Sequence, residues 1–461
     1  MGRSALPEGH GRVGSRTWPC FAGYPPRVQS RLLRIDRSKV LRVVAAVAMF
    51  ELGLFVAGYL IYWIVQRPGD LDFGSQYAAA YIGIHYGWSR LYDPTLIGPI
   101  EAANHLDGFA PFQHPPPDAW LAIPFLLLPL RWAGLIWQAL VLAALVAAAL
   151  LVSSSKGGTP PLGAAGPAKP DPGAPPAARR WDRALILLSV AGFQPVLFAL
   201  GYGTMSPVVF LLLVGTLRAM EGGSPVLAGV LLGLTALKPQ LTLLTIPVLL
   251  AAGYWKVALT AAGVMAALAV ASVAVIGVSG TRDYVSFLVS PDTLLHPVPW
   301  TVKGLVGTGT PSFIATAVVI VAAVAVAIRL RPPPDVALSV GVLASLFVAQ
   351  HLNVGDFVLW LLPVWLAFRA GRPWWLRAVA ALTWISGWLV VGVPIVCVVC
   401  DVALAVTFVV ATARQSHDRD SKGNIESGED MALRSEDGAE HDVQRLRRGK
   451  REVRLELRRL R

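Results

Sequence analysis

Polar side chains stand near the ends of long apolar segments, and Asp72 is the one best suited to acid–base chemistry. It follows the first apolar segment and precedes the aromatic residues Phe73 and Tyr77. A carboxylate that such neighbours partly desolvate has a raised pKa and suits general-base catalysis. An Asp before a helical segment is also a common N-cap. A cap is the favoured interpretation of Asp70, whereas the two roles are compatible for Asp72.

Lys238 and Pro239 interrupt a long apolar stretch in the sequence LTALKPQLTLL. The proline removes a backbone donor. Inside a membrane, the carbonyl group that loses its partner is tolerated only beside protein or a watery cavity. Lys238 is therefore predicted at a cavity wall, where its ammonium group meets a phosphate as a compact charge. The alternative is a loop lysine that extends to the lipid headgroups.

Further candidates lie on other segments. His114 precedes three prolines, which fix an extended approach to a helix, so it either orients a substrate or forms a structural corner. His351 and Asp356, in QHLNVGDF, can hydrogen-bond hydroxyl groups or a phosphate, although an interfacial histidine is more often structural. Lys303 belongs to a long predicted loop, 279–310, and is a further candidate for substrate binding.

The composition predicts that membrane-spanning helices position these residues. Of the 461 residues, 55% are hydrophobic and 15% are charged, whereas soluble proteins carry roughly a quarter charged residues. The net charge of +12 comes from basic residues that flank apolar segments and fill the C-terminal tail. This is the pattern of membrane topology rather than of nucleic-acid binding. The three cysteines form no disulfide framework, and no Cys/His cluster has zinc-ligand spacing.

Twelve spans are predicted in an all-α membrane protein, with both termini in the cytoplasm because basic residues flank the first span and the cytoplasmic turns. A shorter apolar piece, 118–129, is expected to dip in from the outer face. The spans are 40–65, 132–152, 183–200, 204–219, 225–237, 240–254, 257–278, 311–328, 336–350, 357–369, 374–392 and 393–411.

This topology divides the chain into three parts. A basic cytoplasmic segment, 1–39, precedes a transmembrane domain, 40–411, which includes a Pro/Gly/Ala-rich cytoplasmic loop, 153–180. The basic tail, 412–461, is either a helix lying on anionic lipid or a solvated disordered segment.

The same topology places the candidate residues together on the outer face, while the spans hold almost no charge. Ionisable groups inside spans mark transport paths when they are functional. Their scarcity disfavours an ion-coupled transporter and favours an enzyme that acts on a lipid-borne substrate. A lipid or sugar transporter and a non-catalytic membrane protein remain as alternatives, and an ion channel is the least favoured.

Five motifs in order resemble glycosyltransferase family 87, over about residues 40–410. They are Asp72-Phe73 with Tyr77–Ala79 and Leu91–Pro94; His114-Pro-Pro; the segment from Gly201 to Lys238-Pro239-Gln240; Lys303–Leu305; and the pair His351 and Asp356.

The resemblance implies a GT-C fold, a multi-helix bundle whose active site faces away from the cytoplasm. It also implies a bacterial plasma membrane location, a hexose donor on polyprenyl phosphate, with mannose expected, and a lipid or glycan acceptor. In this family the aspartate that matches Asp72 is taken as the general base. Lys238 and His351 match positions that meet the donor phosphate and sugar. Neither a metal nor a cofactor is expected.

Two departures from the family pattern concern substrate contacts. Gly201-Tyr202-Gly203-Thr204 stands where relatives often carry Gly-Gln, so Thr204 is expected to replace or lose a polar contact. His114 stands where Tyr is usual. Both leave the transferase prediction in place and leave the sugar and the acceptor open.

Overall fold

A computed structural model describes residues 37–66, 72–103, 112–154, 176–290, 298–369 and 372–415. Within these ranges every regular element is a helix, which confirms the all-α prediction for this part of the chain. Asp70 and most of the predicted segments 1–39, 153–180 and 412–461 lie outside the described residues.

The α-helices of the described ranges are α1 Arg37–Gln66, α2 Asp72–His85, α3 Pro94–Ala103, α4 Pro116–Ala122, α5 Leu130–Ser153, α6 Pro176–Ala191, α7 Gln194–Gly201, α8 Ser206–Glu221, α9 Pro225–Leu234, α10 Thr245–Ala251, α11 Trp255–Leu288, α12 Val302–Val306, α13 Thr310–Leu330, α14 Pro334–Val348, α15 Leu361–Ala367, α16 Trp374–Ser386 and α17 Pro394–Gln415. Short 3₁₀ helices occupy Trp88–Arg90, Ile123–Leu127, Thr235–Leu237, Pro239–Leu241 and Val354–Trp360. By internal contacts, the described residues from Ala48 onward belong to one compact unit, and the part of α1 up to Val47 belongs to another.

Five described helices are long and apolar enough to cross a membrane: the segment Arg42–Tyr62 of α1, and α5, α11, α13 and α17. A sixth span results if α6 and α7, which are bent by 59° at their junction, count as one. Three shorter apolar helices cover Pro225–Leu237, Pro334–Val348 and Val354–Ala367. The structure therefore supports a membrane protein with several spans, and the number twelve stays a prediction.

Close packing of α9 against α11 fixes the chain just before Lys238. A Cβ atom at Gly229 would lie 2.4 Å from the Thr260 Cβ atom, and one at Gly233 would lie 2.5 Å from the Val264 Cβ atom. Small residues four positions apart allow two membrane helices to approach this closely. Lys238 follows with non-helical angles (φ −134°, ψ 73°), so the helix break predicted from its proline neighbour is confirmed.

The helix α11 is longer than the predicted span 257–278. It continues through a kink at Gly277, where φ is 71°, and ends at Leu288. The start of the predicted loop 279–310 is therefore helical, and Lys303 lies on the short helix α12. Polar residues at 282 and 283 end the apolar run, but no proline follows before Pro291, so nothing stops the helix earlier.

Ion pairs gather at one end of α8 and α14. Glu221, at the last turn of α8, lies 2.5 Å from Arg218 and 2.5 Å from Arg369. Asp335, in the first turn of α14, lies 2.5 Å from Arg372. These three arginines are among the residues that the sequence assigns to cytoplasmic turns.

Candidate active site

The start of α2 is fixed to the turn that follows α7. The backbone N–H groups of Asp72 and Phe73 both donate to the Tyr202 carbonyl oxygen, at 3.2 and 3.4 Å. The Phe73 ring stacks on Trp137, with ring centroids 5.1 Å apart. The Trp137 indole in turn donates to the Gly203 carbonyl oxygen at 2.7 Å. The position of Asp72 is therefore set by α5 and by the turn, 201–204.

Gly203 is required in this turn for two reasons. Its φ of +65° lies in the left-handed region, which residues other than glycine rarely adopt. A Cβ atom there would also lie 3.0 Å from the Phe73 Cβ atom and 3.2 Å from Trp137 Cδ1. The glycine thus allows the turn to approach the base of α2.

Lys238 lies at the centre of a buried polar cluster and is only 1% exposed. Its Nζ atom donates to Asp356 Oδ1 at 2.8 Å and to Ser206 Oγ at 3.2 Å. Asp72 Oδ2 is 3.7 Å from the same nitrogen atom. An ammonium group carries three protons. Two of them go to Asp356 and Ser206, and Asp72 adds an opposite charge just beyond hydrogen-bond distance.

Both carboxylate oxygens of Asp356 are engaged within the protein, and the residue is fully buried. Its Oδ1 atom accepts from Lys238 and from the Ser206 hydroxyl group. Its Oδ2 atom accepts from the Asn353 backbone N–H at 2.8 Å. This geometry therefore favours a role for Asp356 in positioning Lys238 over a direct role in substrate binding.

Asp72 is the accessible carboxylate of the pair that flanks Lys238, since its side chain is 20% exposed. Burial raises the pKa of Asp72 above its ordinary value, while the Lys238 charge opposes that rise and the Asp356 charge adds to it. The desolvation expected from the sequence is therefore present. A carboxylate with a raised pKa is a stronger base, as proton removal from a hydroxyl group requires.

His114 and Asp118 form a second polar group beside the first. The His114 Nδ1 atom is 3.2 Å from Asp118 Oδ2, and the Gln76 side-chain amide donates to the same oxygen at 3.1 Å. Tyr92 fixes the backbone here, because its hydroxyl group donates to the His114 carbonyl oxygen at 2.8 Å.

The two ionisable groups of this second cluster are uncharged at neutral pH. Burial, with the positive charges of Lys238 and His351, lowers the pKa of His114 to about 3. Burial raises the pKa of Asp118 to about 8, against the opposing charge of Lys238. The 3.2 Å contact between the two side chains therefore joins neutral groups and is not an ion pair.

The remaining predicted residues lie apart from the contacts around Lys238. His351 is exposed, and its charge acts on His114, so the two imidazoles are neighbours. Lys303 is 4% exposed, and its Nζ atom has no hydrogen-bond partner among the described residues. Burial lowers its pKa.

Thr204, one of the two departures, has a local structural contact. It is fully buried, and its Oγ1 atom accepts from the Ser206 backbone N–H at 3.3 Å. Thr204 thereby positions the residue whose hydroxyl group bonds to Asp356.

Sequence reasoning missed Gln76, Asp118 and Ser206. The first two have a simple signal, because each follows a predicted site residue by four positions, one helical turn. Ser206 has none, since its partner Asp356 is 150 positions away. Among the residues that the structure describes, no group of three or more His, Cys, Asp or Glu is arranged to hold a metal ion.

The family profile of glycosyltransferase family 87 matches residues 112–350, just over half of the chain. This chain belongs to glycosyltransferase family 87. A search of curated proteins finds no match. The matched stretch contains His114, Lys238 and Lys303, whereas Asp72 and Asp356 lie outside it on either side. Membership makes the chain a glycosyltransferase, and its apolar helices make it a membrane protein.

Proposed function

We propose that this family 87 protein transfers a hexose, with mannose expected first, from polyprenyl phosphate to a hydroxyl group of a lipid or glycan. The observation that carries the proposal is the partly exposed Asp72 carboxylate, held beside the buried ion pair of Lys238 and Asp356. Asp72 is a base of raised pKa and the partly exposed member of a cluster whose other charged groups are buried and paired with each other.

The reaction needs one proton transfer and one displacement. Asp72 takes the proton of the acceptor hydroxyl group, and the acceptor oxygen forms a bond to the anomeric carbon. The bond from that carbon to the phosphate oxygen breaks, and polyprenyl phosphate leaves with the electron pair, so the sugar configuration inverts. A positioned general base contributes roughly 10²–10⁴-fold to such a step.

The leaving phosphate needs a positive charge near it. Lys238 already neutralises two carboxylates. It is therefore better suited to positioning Asp72 and balancing its charge than to binding the phosphate. Lys303 is the better candidate for the phosphate, because its buried ammonium group has no partner among the described residues. The exposed His351, whose charge acts on His114, is the proposed contact for the donor sugar.

The extracytoplasmic face is the proposed side of the site. Ser206 begins α8 at the site, and Glu221 ends it among arginines. Sixteen residues of helix separate the two ends, or about 24 Å at 1.5 Å per residue. Basic residues concentrate on the cytoplasmic side of membrane proteins, so the Asp72 end faces outward. A GT-C bundle with twelve spans in a bacterial plasma membrane accords with this arrangement.

The direct test is transfer from radiolabelled polyprenyl-phosphate mannose in membranes that contain wild-type protein or Asp72→Asn at equal levels. We expect transfer by the wild type and a loss of at least a hundredfold in the variant. Donors carrying other sugars follow if the wild type is inactive with mannose. Inactivity with every donor contradicts the proposed function. Transfer that survives in Asp72→Asn removes the base assignment and directs attention to Asp70 or Asp356.

A further inference from the structure

We propose that Gln76, Asp118 and His114 form a subsite that binds hydroxyl groups of a sugar ring beside Asp72. The proposal rests on the proposed transferase function and adds to it a site for the ring. None of the five family motifs includes Gln76 or Asp118.

The subsite is continuous with the candidate base. Gln76 follows Asp72 by one turn of α2, so the two side chains share a face of the helix. Both Gln76 and Asp118 are 0% exposed. The Gln76 amide nitrogen and the His114 Nδ1 atom meet at a single atom, Asp118 Oδ2, at 3.1 and 3.2 Å.

Two buried oxygen atoms of this cluster have no partner among the described residues: Gln76 Oε1 and Asp118 Oδ1. Buried polar atoms in folded proteins are nearly always hydrogen-bonded. An unpaired oxygen is found singly elsewhere in the protein, as at Gln138. Here two occur on side chains that bond to each other, one turn from the base. A ligand group that both donates and accepts hydrogen bonds satisfies both, because it can donate to Gln76 Oε1 and accept from the protonated Asp118.

The chemistry of the cluster selects an uncharged ligand. Gln76 is neutral, and His114 and Asp118 are uncharged at neutral pH because of burial. A phosphate would meet no cation among these three side chains. A hydroxyl group both donates and accepts, and a sugar ring presents several at once. The fixed backbone of His114, held by Tyr92, makes the cluster rigid.

The ring belongs either to the donor or to a glycan acceptor, since both present neighbouring hydroxyl groups. Kinetics with Gln76→Met distinguish the two sources. This change keeps the length of the side chain and removes both amide atoms. Gln138→Met is the matched control, because Gln138 is also buried, at 5% exposed, and also has an unpaired side-chain oxygen.

We expect Gln76→Met to raise the KM of one sugar substrate roughly tenfold or more, with kcat changed less than threefold. The substrate whose KM rises identifies the source of the ring. A deoxy analogue of that substrate, lacking the bound hydroxyl group, should be poorer than the parent sugar with the wild type and equal to it with Gln76→Met. Unchanged KM values for both substrates, or the same rise with Gln138→Met, overturn the proposal.

Asp118 provides a second variant in case Gln76→Met folds poorly. Asp118→Leu removes both oxygens, whereas Asp118→Asn keeps a neutral group of the same shape. The proposal expects a larger rise in KM with Asp118→Leu than with Asp118→Asn. An equal rise in the two variants contradicts an uncharged role for Asp118.

A binding measurement distinguishes failure of the proposed transferase activity from failure of the proposed subsite. If the wild type transfers no sugar, Tm is measured with methyl pyranosides of mannose, glucose and galactose. A Tm that rises for the wild type and for Gln138→Met but not for Gln76→Met supports the subsite without the activity. No rise with any of the three sugars overturns the subsite.

Discussion

Lys238 Nζ and Asp356 Oδ1 lie 2.8 Å apart in the protein interior, although 118 positions separate the two residues in the sequence. The pair links the helix break after α9 to the 3₁₀ helix Val354–Trp360. Trp360 at the end of that helix donates to the buried Asp401 at 2.9 Å. This hydrogen bond fixes the 3₁₀ helix that carries Asp356 to α17. The base Asp72 is then held against a fixed positive charge.

Lys238→Met is expected to destabilise the protein by about 3–5 kcal/mol, because it leaves Asp356 charged and buried without a counter-charge. The double variant Lys238→Met/Asp356→Leu is expected to recover part of this loss. Thermal unfolding of purified protein in detergent measures both effects.

Lys256→Met is the control for that prediction, since Lys256 is exposed on α11 and its removal is expected to cost less than about 0.5 kcal/mol. A Lys238→Met variant as stable as the control would contradict the buried ion pair.

Gly203→Ala is expected to lower both stability and transfer. The new Cβ atom meets Phe73 and Trp137, which position the start of α2, and the φ of +65° adds strain. A stability loss of about 1–3 kcal/mol is expected, with a kcat loss that results from displacement of Asp72.

Gly253→Ala separates the two causes, because Gly253 has a φ of +96° and open space around its Cβ position. It should lower Tm through backbone strain and leave kcat unchanged. Equal kcat values in the two variants would show that the turn does not position the base.

Transfer is expected to fall as the pH is lowered, because Asp72 acts only when deprotonated. Burial places the pKa of Asp72 above its ordinary value of 3.8, so the midpoint of kcat/KM against pH lies above that value. A profile that stays flat down to pH 4 would contradict this assignment. Measurements of Tm over the same range exclude unfolding as the cause.

Stability should also depend on pH through Asp118. Its pKa rises from 3.8 to about 8 on folding, so the folded state holds a proton that the unfolded state has lost. The stabilisation is present below pH 4 and is lost as the pH rises through 8. Between about pH 5 and 7 the folded state keeps this proton and the unfolded state has lost it, so the wild type should lose roughly 1.4 kcal/mol per pH unit relative to Asp118→Asn. Both proteins contain His114, so its titration is common to the two. If the free energy of unfolding changed with pH at the same slope in the wild type and in Asp118→Asn, the raised pKa of Asp118 would be contradicted.

The sequence was most informative where one residue type dictates local geometry. Pro239 predicted the break at Lys238, and the carboxylate before an aromatic helix predicted the desolvated position of Asp72. These features depend on near neighbours in the chain.

Contacts between distant segments could not be predicted in this way. The bond from Ser206 to Asp356 and the one from Trp137 to Gly203 depend on how the helices pack. A single sequence does not show which turns, distant from each other along the chain, come into contact in the folded protein. The length of α11 was missed for another reason, since polarity ended the predicted span while the hydrogen-bonded helix continued to Leu288.

The family profile covers Lys238 but begins after Asp72 and ends before Asp356. A fragment cut at those boundaries would bury an ammonium group and lack both of its counter-charges. It should therefore fail to fold, however well it scores as a family member. The order of synthesis matters for the same reason. Of the three charged residues Asp356 is made last, so the cluster around Lys238 can be completed only after the chain has been synthesised past Asp356.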